Sequence, residues 1–298
     1  MKKIIAILLA LTMVFALAGC DASDYKKAVS AMDSGDYAAA STAFKALGDY
    51  KDSADLAKKC DYNLAKAALD AKNYADAVKG FEALGDYEDS ADCLAQAKDA
   101  LTAKALVGDW EGDAMDLSNS ILSALTTAGD GMTDALSYCE FGPFEVTPSM
   151  SLREDGTCTV AIDEDSFRSA MSGFMSALKA GIKKYYVAAV EASLAQQGYT
   201  LEDAYAELGV TDEDGLLQAS IGMSFDELFD SLGLDSLLDS VSSNLSVLGT
   251  YTVENGTVKI SSSGDVELGD YDESAGTVTL TGTESGSTEG YPQVYHRK

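Results

Sequence analysis

The stretch LGDYKDSA at residues 47–54 returns as LGDYEDSA at residues 84–91, with a single exchange between the two copies. The copies lie 37 residues apart, and the aromatic and small residues before them align at the same shift. The aligned pairs are Tyr25/Tyr62, Ala28/Ala65, Tyr37/Tyr74, Ala40/Ala77, Phe44/Phe81 and Leu47/Leu84. An internal repeat of this length is typical of stacked units of two helices each. The sequence therefore predicts an α-helical repeat module over residues 20–104, closed by a last helix at about 89–104.

Each copy of the repeated stretch lies between two predicted helices. Gly48 and Gly85 directly follow the last leucine of a helix, where a left-handed glycine C-cap is common. Asp52 and Asp89 precede the next helix and offer oxygens for an N-cap. The stretch is either a structural joint used twice or a binding site used twice. We predict joints, because capping engages the carboxylates one at a time, whereas a cation site needs several oxygens to converge.

The positions that recur in the two repeats also form a known pattern. They are Ala28, Gly35, Asp36, Tyr37, Ala40, Phe44 and Leu47 in the first repeat, and Ala65, Asn73, Tyr74, Ala77, Phe81 and Leu84 in the second, where Lys72 stands in place of the turn glycine. This pattern resembles the tetratricopeptide repeat. The chain departs from that family because no Trp opens the first helix, no Pro closes the second, and the period exceeds the usual length of about 34 residues. The resemblance implies helical hairpins that bind a protein partner.

The N-terminus has the features of an export signal. Lys2 and Lys3 precede an apolar run at residues 4–17, which is too short to predict a membrane-spanning helix. The run ends in Leu-Ala-Gly-Cys at residues 17–20, which resembles the lipobox of bacterial lipoproteins. The resemblance implies cleavage after residues 1–19, acylation of Cys20, and a lipid anchor that holds the protein on the extracytoplasmic face of the cell membrane. The alternative is a plain signal peptide in which Cys20 has no such role.

The charge and the cysteines limit the classes of partner and site. Removing residues 1–19 takes away two lysines, so 19 basic and 49 acidic side chains remain and the formal charge is −30. A surface of this charge repels nucleic acid and anionic headgroups. The remaining cysteines are Cys60, Cys93, Cys139 and Cys158, without a C-x-x-C pair, so we predict no zinc site. A disulfide between Cys139 and Cys158 and a pair of buried thiols both remain open.

Residues 105–298 show a different pattern, with period-two alternation between turn residues. Asp155-Gly156 and Asn255-Gly256 each separate two alternating runs, which is a strong local signal for a β-hairpin. Strands are predicted around Trp110 and at 150–153, 157–162, 249–253, 257–261, 265–271, 277–281 and 293–297. About eight short strands are enough for an antiparallel barrel or sandwich. The predicted fold class is α+β, a short helical repeat module followed by an antiparallel β-barrel-like domain with helical insertions.

Three short motifs follow one another along the second half of the chain. They are Gly108-Asp109-Trp110, Asp155-Gly156-Thr157 and Gly249-Thr250-Tyr251. Together they resemble the lipocalin-like domains of bacterial lipoproteins, which implies a small up-and-down barrel, often with a ligand cavity. Trp110 is either a core residue that closes one barrel end or a ligand contact, and we favour the core.

Helical insertions interrupt the predicted barrel at about 113–138 and 164–247. The main one begins with an amphipathic helix of roughly 30 residues. Shorter helices are predicted at 115–125, 201–208, 225–232 and 234–245, with Ser224 and Glu227 forming a capping box. The insertions either pack on the barrel as one enlarged domain, cover its mouth, or offer a docking face to another exported protein. In the last two cases Met171, Phe174, Met175 and Tyr186 are the candidate apolar ligand or partner face.

The chain offers little catalytic chemistry. Its single histidine, His296, lies two residues from the C-terminus, and no nucleophile elbow, Walker or Rossmann pattern occurs. We therefore predict a non-enzymatic protein without a catalytic residue, metal or cofactor. The expected function is a membrane-anchored adaptor or binding module with a protein partner. The alternative is a carrier of a small apolar ligand or lipid in the β domain, with the repeats as a spacer.

Overall fold

The structure, a computed structural model, describes residues 21–127, 132–231, 245–262, 264–288 and 290–298. It has an α-helical module followed by a closed eight-stranded antiparallel barrel with helical insertions, which confirms the predicted α+β fold class. Cys20 and the predicted signal lie outside the described residues, as does the predicted helix at 234–245 except for its last residue.

Two compact units divide the chain. One comprises the residues up to Leu106 together with 252–258, and the other comprises 107–251 and 259–298. Over the described part of the first unit the helices are α1 (21–33), α2 (Tyr37–Leu47), α3 (Ser53–Asp70), α4 (Tyr74–Leu84) and α5 (Ser90–Leu106). Helix α2 is capped locally, because the Asp36 side chain accepts a hydrogen bond from Ala39 N at 3.1 Å.

Each helical repeat buries its own small cluster of side chains. The first cluster contains Ala28, Ala40, Phe44, Ala57 and Cys60, and the second contains Ala65, Ala77, Phe81, Cys93 and Ala97. Phe44 and Phe81 are fully buried, and each burial stabilises the unit by roughly 1.5–3 kcal/mol. The small residues let the helices approach closely. A Cβ atom added to Gly80 of α4 would lie 2.7 Å from Ala65 Cβ of α3, so this crossing requires a glycine.

The rest of the chain forms the barrel and its insertions. In order it contains β1 (Gly108–Gly112), β2 (Met115–Asp116), α6 (Ser118–Thr127), α7 (Met132–Leu136), β3 (Glu145–Val146), β4 (Pro148–Leu152), β5 (Thr157–Ile162), α8 (Glu164–Ala195), α9 (Leu201–Leu208), α10 (Glu213–Ile221), α11 (Phe225–Ser231), β6 (Ser246–Glu254), β7 (Thr257–Ser261), β8 (Val266–Asp272), β9 (Thr277–Thr283) and β10 (Gln293–Arg297). The predicted strands and the long predicted helix are therefore present.

The barrel closes in the order β1-β10-β9-β8-β7-β6-β5-β4, which is compatible with a lipocalin-like barrel. Most neighbours are consecutive in the chain, while β1 pairs with both β4 and β10. In that register Trp110 lies opposite Met150 on one side and Arg297 on the other. A bulge at Leu268 and Gly269 bends β8 against β9.

The insertions differ from the prediction at Met115 and at helix α10, whereas the capping box at the start of α11 agrees with it. Met115 belongs to strand β2, which pairs with β3 in a separate two-stranded sheet, so the predicted helix at 115–125 begins only at Ser118. Helix α10 was not predicted, because its two buried residues, Leu216 and Leu217, are adjacent and show no helical period. The capping box at α11 is formed, since Glu227 N donates to Ser224 Oγ at 3.2 Å and Ser224 N donates to Glu227 Oε2 at 2.7 Å.

Cys60, Cys93, Cys139 and Cys158 are all free thiols, so the disulfide between Cys139 and Cys158 is not formed. Cys158 is buried in β5, whereas Cys139 packs against Gly181 of α8. Burial raises the pKa of the Cys158 and Cys139 thiols, which favours their protonated form.

Candidate functional site

The repeated stretch connects back to the first helix of its own repeat. Tyr25 OH donates to Asp52 Oδ1 at 2.6 Å, and Tyr62 OH donates to Asp89 Oδ1 in the second copy. Asp52 makes no side-chain bond to the start of α3, so the prediction that it caps this helix through its carboxylate is wrong. The carboxylate instead ties the loop to a tyrosine 27 residues earlier.

Aromatic rings and cations complete each joint. Tyr50 meets Tyr25 edge-to-face at 5.9 Å between centroids, and the equivalent pair, 37 residues later, meets at 5.8 Å. Lys51 Nζ lies 4.3 Å from the Tyr25 ring centroid in the first joint. In the second joint Glu88 takes the place of Lys51, and the cation comes from Lys66, whose Nζ lies 5.4 Å from the centroid of the tyrosine ring of that joint.

The joint carboxylates are already engaged by their own repeat. The hydrogen bond from Tyr62, followed by the charge of Lys66, lowers the pKa of Asp89, and the bond to Asp89 raises the pKa of Tyr62. Among the described residues, no group of three or more His, Cys, Asp or Glu side chains is placed to hold a metal ion.

The backbone of the joints also differs from the prediction. Gly48 has φ 55° and ψ −122°, and Gly85 has φ 60° and ψ −126°. The positive φ agrees with the expected glycine cap, but the ψ value places both residues outside the left-handed helical region. This conformation is strongly disfavoured for a residue with a Cβ atom.

An open groove of about 460 Å³ lies on the helical unit between α2, α3 and α4. Its floor consists of small residues, Ala65, Ala68, Gly80 and Ala83, and its apolar walls are Leu64 and Leu84. Leu64 is 37% exposed, so its side chain gives the groove an apolar surface that a partner can reach. Because the floor residues are small, a side chain of a partner can enter the groove without displacing them.

Charged residues mark the rim of this groove. Lys45 Nζ lies 2.8 Å from Asp61 Oδ2, and Ser41 Oγ donates to the Oδ1 atom of the same carboxylate at 2.5 Å. Asp76 lies on the α4 side. The same ion pair recurs 37 residues later as Lys98 with Glu82, also at 2.8 Å, with the two charges exchanged.

The closing helix α5 keeps one repeat position and changes another. Leu101, one repeat beyond Leu64, is 38% exposed but does not line the groove. Asp99 takes the position of Tyr25 and Tyr62, and its carboxylate accepts hydrogen bonds from the N–H groups of residues 255 and 256 at 2.8 and 2.9 Å. The tyrosine–aspartate joint is therefore not repeated a third time.

The barrel interior is filled by its own side chains. The largest fully buried ones include Trp110, Met150, Leu152, Ile260, Leu280 and Tyr295. The Trp110 ring meets Tyr271 edge-to-face at 6.1 Å between centroids, and the Arg297 guanidinium lies 4.7 Å from the Trp110 ring centroid. Trp110 is therefore a core residue of the barrel.

The four residues predicted as an apolar face on α8 do not converge. Met171 and Phe174 pack on a cluster around Phe144, whereas Tyr186 packs on a separate cluster with Phe225 at 5.5 Å between ring centroids. Met175 is half-buried. Tyr186 lies eleven positions after Met175 on the helix, about 16 Å along the axis, which is too far for both to line one small pocket.

A second open cleft of about 460 Å³ lies between α8 and the segment at 140–147, and Phe174 is the only one of the four predicted face residues that lines it. Its other α8 residues are small, namely Ser166, Ser169, Ala170, Gly173 and Ala177. The spacing of this small-residue stripe is visible in the sequence and could have revealed the cleft. The carboxylates on the opposite wall could not be found in that way.

Comparison with known proteins finds no match for this chain among protein families, curated proteins or solved structures. The fold, the groove on the helical unit and the cleft beside α8 therefore carry the functional argument. Within the described ranges, every helix is too short or too polar to cross a bilayer.

Proposed function

We propose that this protein is a lipid-anchored, extracytoplasmic, non-catalytic adaptor whose helical repeats bind a protein partner in the groove around Leu64. The observation that carries this proposal is an open, apolar-floored groove on the repeats, whereas the interior of the barrel is filled by its own side chains. Helical repeats commonly use such surfaces for partner segments, because an amphipathic helix places its apolar residues at matching intervals.

The charge of the chain indicates the chemistry of the partner segment. The groove rim carries two carboxylates, Asp61 and Asp76, and one ammonium group, Lys45, which is paired with Asp61. The exported chain has a formal charge of −30 if residues 1–19 are removed. We therefore expect an apolar anchor side chain flanked by lysine or arginine, which the acidic surface attracts before contact.

The anchor and the family assignments rest on resemblance. The Leu-Ala-Gly-Cys sequence at 17–20 resembles a lipobox, and the repeats resemble tetratricopeptide repeats. Acyl chains on Cys20 would hold the adaptor at the membrane despite its negative charge, since two chains suffice for stable attachment. In this proposal the lipocalin-like barrel is a rigid support or the contact for a second partner.

The carrier alternative receives less support. A lipid or another apolar ligand inside the barrel would have to displace buried side chains such as Trp110 and Tyr295. Native mass spectrometry of protein purified without added ligand tests this alternative. A lipid that co-purifies with the chain, other than the anchor, would count against the adaptor function.

A displayed library of helical peptides, selected on the exported chain without its lipid, tests the adaptor function directly. Leu64→Ser and Leu101→Ser form a matched pair, because both positions are equivalent in the repeat and equally exposed, but only Leu64 lines the groove. We expect selected peptides to be basic and apolar, and Leu64→Ser to weaken their binding about tenfold or more, the cost of losing one buried leucine contact.

The control variant Leu101→Ser should retain full binding. Circular dichroism melting checks that both variants fold equally well. If selected peptides bind Leu64→Ser as tightly as the unchanged protein, the groove is not the binding surface and the proposal is wrong.

A further inference from the structure

The cleft beside α8 is held open by two attachments at its ends. At one end Cys139 packs so closely on Gly181 that a Cβ atom at Gly181 would overlap its sulfur, and Lys184 Nζ lies 2.7 Å from Glu140 Oε1. At the other end Thr147 N donates to Ser166 Oγ at 3.0 Å. The chain between these attachments cannot close onto the helix without breaking one of them.

The helix side of the cleft is open because a glycine lies there. Gly173 of α8 lines the cleft, and a Cβ atom added there would meet no heavy atom within 4 Å. Phe174 forms an apolar wall and is fixed by stacking on Phe141 at 4.5 Å between centroids. The volume of about 460 Å³ falls within the range of small-molecule sites.

The polar side chains that line the cleft are either acidic or neutral. Glu140 and Glu145 face it from the 140–147 segment, and hydroxyl residues complete the polar lining. Of the described residues that line it, none is basic. Lys184 is bonded to Glu140, and this bond holds the pKa of Glu140 below its usual range and keeps the carboxylate ionised.

The surroundings favour a cation still further. Residues 107–298 carry 33 of the 49 acidic side chains of the chain but only 8 of its 21 basic ones. A negatively charged cleft in a negatively charged domain concentrates small cations. An anion would meet repulsion there, and a neutral apolar ligand would gain no electrostatic attraction from the carboxylates.

From this geometry we infer that the cleft between α8 and residues 140–147 is a binding site for a small organic cation, an ammonium group on a short carbon body. The ammonium group lies against Glu145 and Glu140, and the carbon body lies along Gly173 and Phe174. This site is separate from the groove on the helical repeats and does not depend on the adaptor function.

The test uses isothermal titration calorimetry on the exported chain with choline, agmatine and cadaverine as probes. The control ligand is 3,3-dimethylbutan-1-ol, which has the shape of choline without its charge. We expect at least one cation to bind with a Kd below about 1 mM, and the neutral alcohol to bind about tenfold more weakly than choline or not at all.

Two pairs of variants locate the binding. Gly173→Leu fills the cleft and improves the helix, whereas Ser172→Leu adds the same side chain at the neighbouring exposed position, which does not line it. Glu145→Gln removes a cleft carboxylate, whereas Glu191→Gln removes the same charge from an exposed position on α8 outside it.

Gly173→Leu and Glu145→Gln should each weaken cation binding about tenfold or more, while both controls leave it unchanged. Melting temperatures identify any variant that fails to fold. The inference is overturned if none of the three cations binds, if the neutral alcohol binds as well as choline, or if Glu191→Gln weakens binding as much as Glu145→Gln. Equal weakening would mean that cations are held only by the overall charge.

Discussion

Replacing Gly48 by alanine separates the backbone conformation of the repeat joint from any steric effect. Gly48 has φ 55° and ψ −122°, and a Cβ atom added there would meet no heavy atom within 4 Å. A loss of stability can therefore come only from the backbone conformation that the alanine is forced to adopt. Residues held in such sparsely populated regions cost on the order of 1–3 kcal/mol.

The expected change is large enough to measure by thermal melting. One kcal/mol shifts the melting temperature of a domain of 60–100 residues by about 4–8 °C. Gly48→Ala should therefore lower the melting temperature of the helical unit, followed by circular dichroism at a helix-specific wavelength, by about 4 °C or more. Gly85→Ala should do the same, because Gly85 has φ 60° and ψ −126°.

Two control substitutions should raise stability instead of lowering it. Gly173 lies within α8 without a positive φ and has space for a Cβ atom, so Gly173→Ala should raise stability by roughly 0.5–1 kcal/mol. Lys72 has φ 58° at the place where the first repeat has Gly35, so Lys72→Gly should relieve strain. Unchanged melting of both Gly48→Ala and Gly85→Ala would refute the idea that these glycines are required by the joint.

The remaining predictions concern titration, burial, thiol reactivity and the anchor. The folded-state pKa of Asp89 is lowered, so its contribution to stability is complete above the ordinary carboxyl pKa and is lost as the pH falls through the lowered value. Tyr62→Phe removes the hydrogen bond that lowers this pKa, so the urea midpoint of that variant should fall less steeply on acidification than that of the unchanged protein. Trp110, the single tryptophan, is fully buried, so its fluorescence should be blue-shifted and protected from acrylamide until the barrel unfolds; free quenching in the native protein would contradict the filled barrel. Cys139 is half-buried and the other three described thiols are buried, so a thiol reagent should label Cys139 first and the others only on unfolding, as peptide mass mapping can show. Cys20→Ser should abolish labelling by an alkyne fatty acid in cells, and persistent labelling would exclude acylation at this position.

Short-range signals explain why much of the fold was predictable. Helix α9 occupies residues 201–208 as predicted, with the Thr200–Asp203 capping box at its start. Strands β5, β7 and β10 have the predicted bounds because turn residues and alternation set them locally. Helix α10 was not predicted because it lacks such local signals. Its buried residues are set by contacts with other elements and show no helical period in the sequence.

The candidate sites were less predictable, because they depend on residues that are distant in the chain. The bond of Asp52 goes to a tyrosine 27 residues earlier, whereas the sequence suggested a cap on the next helix. The apolar residues of α8 share a face in the sequence pattern, but the neighbouring elements divide them between two clusters. The cleft carboxylates become a site only because residues 140–147 lie opposite α8.

The sequence by itself determined the repeat period, most helix and strand bounds, the turns that need glycine, and the acidic surface. All of these depend on neighbours within a few positions or on composition alone. The tertiary structure alone decided that β1 closes the barrel between β4 and β10, that Trp110 fills its interior, and where open clefts remain. The physical reason is that a cavity or a long-range bond depends on the joint packing of several elements, and no short window of residues contains that information.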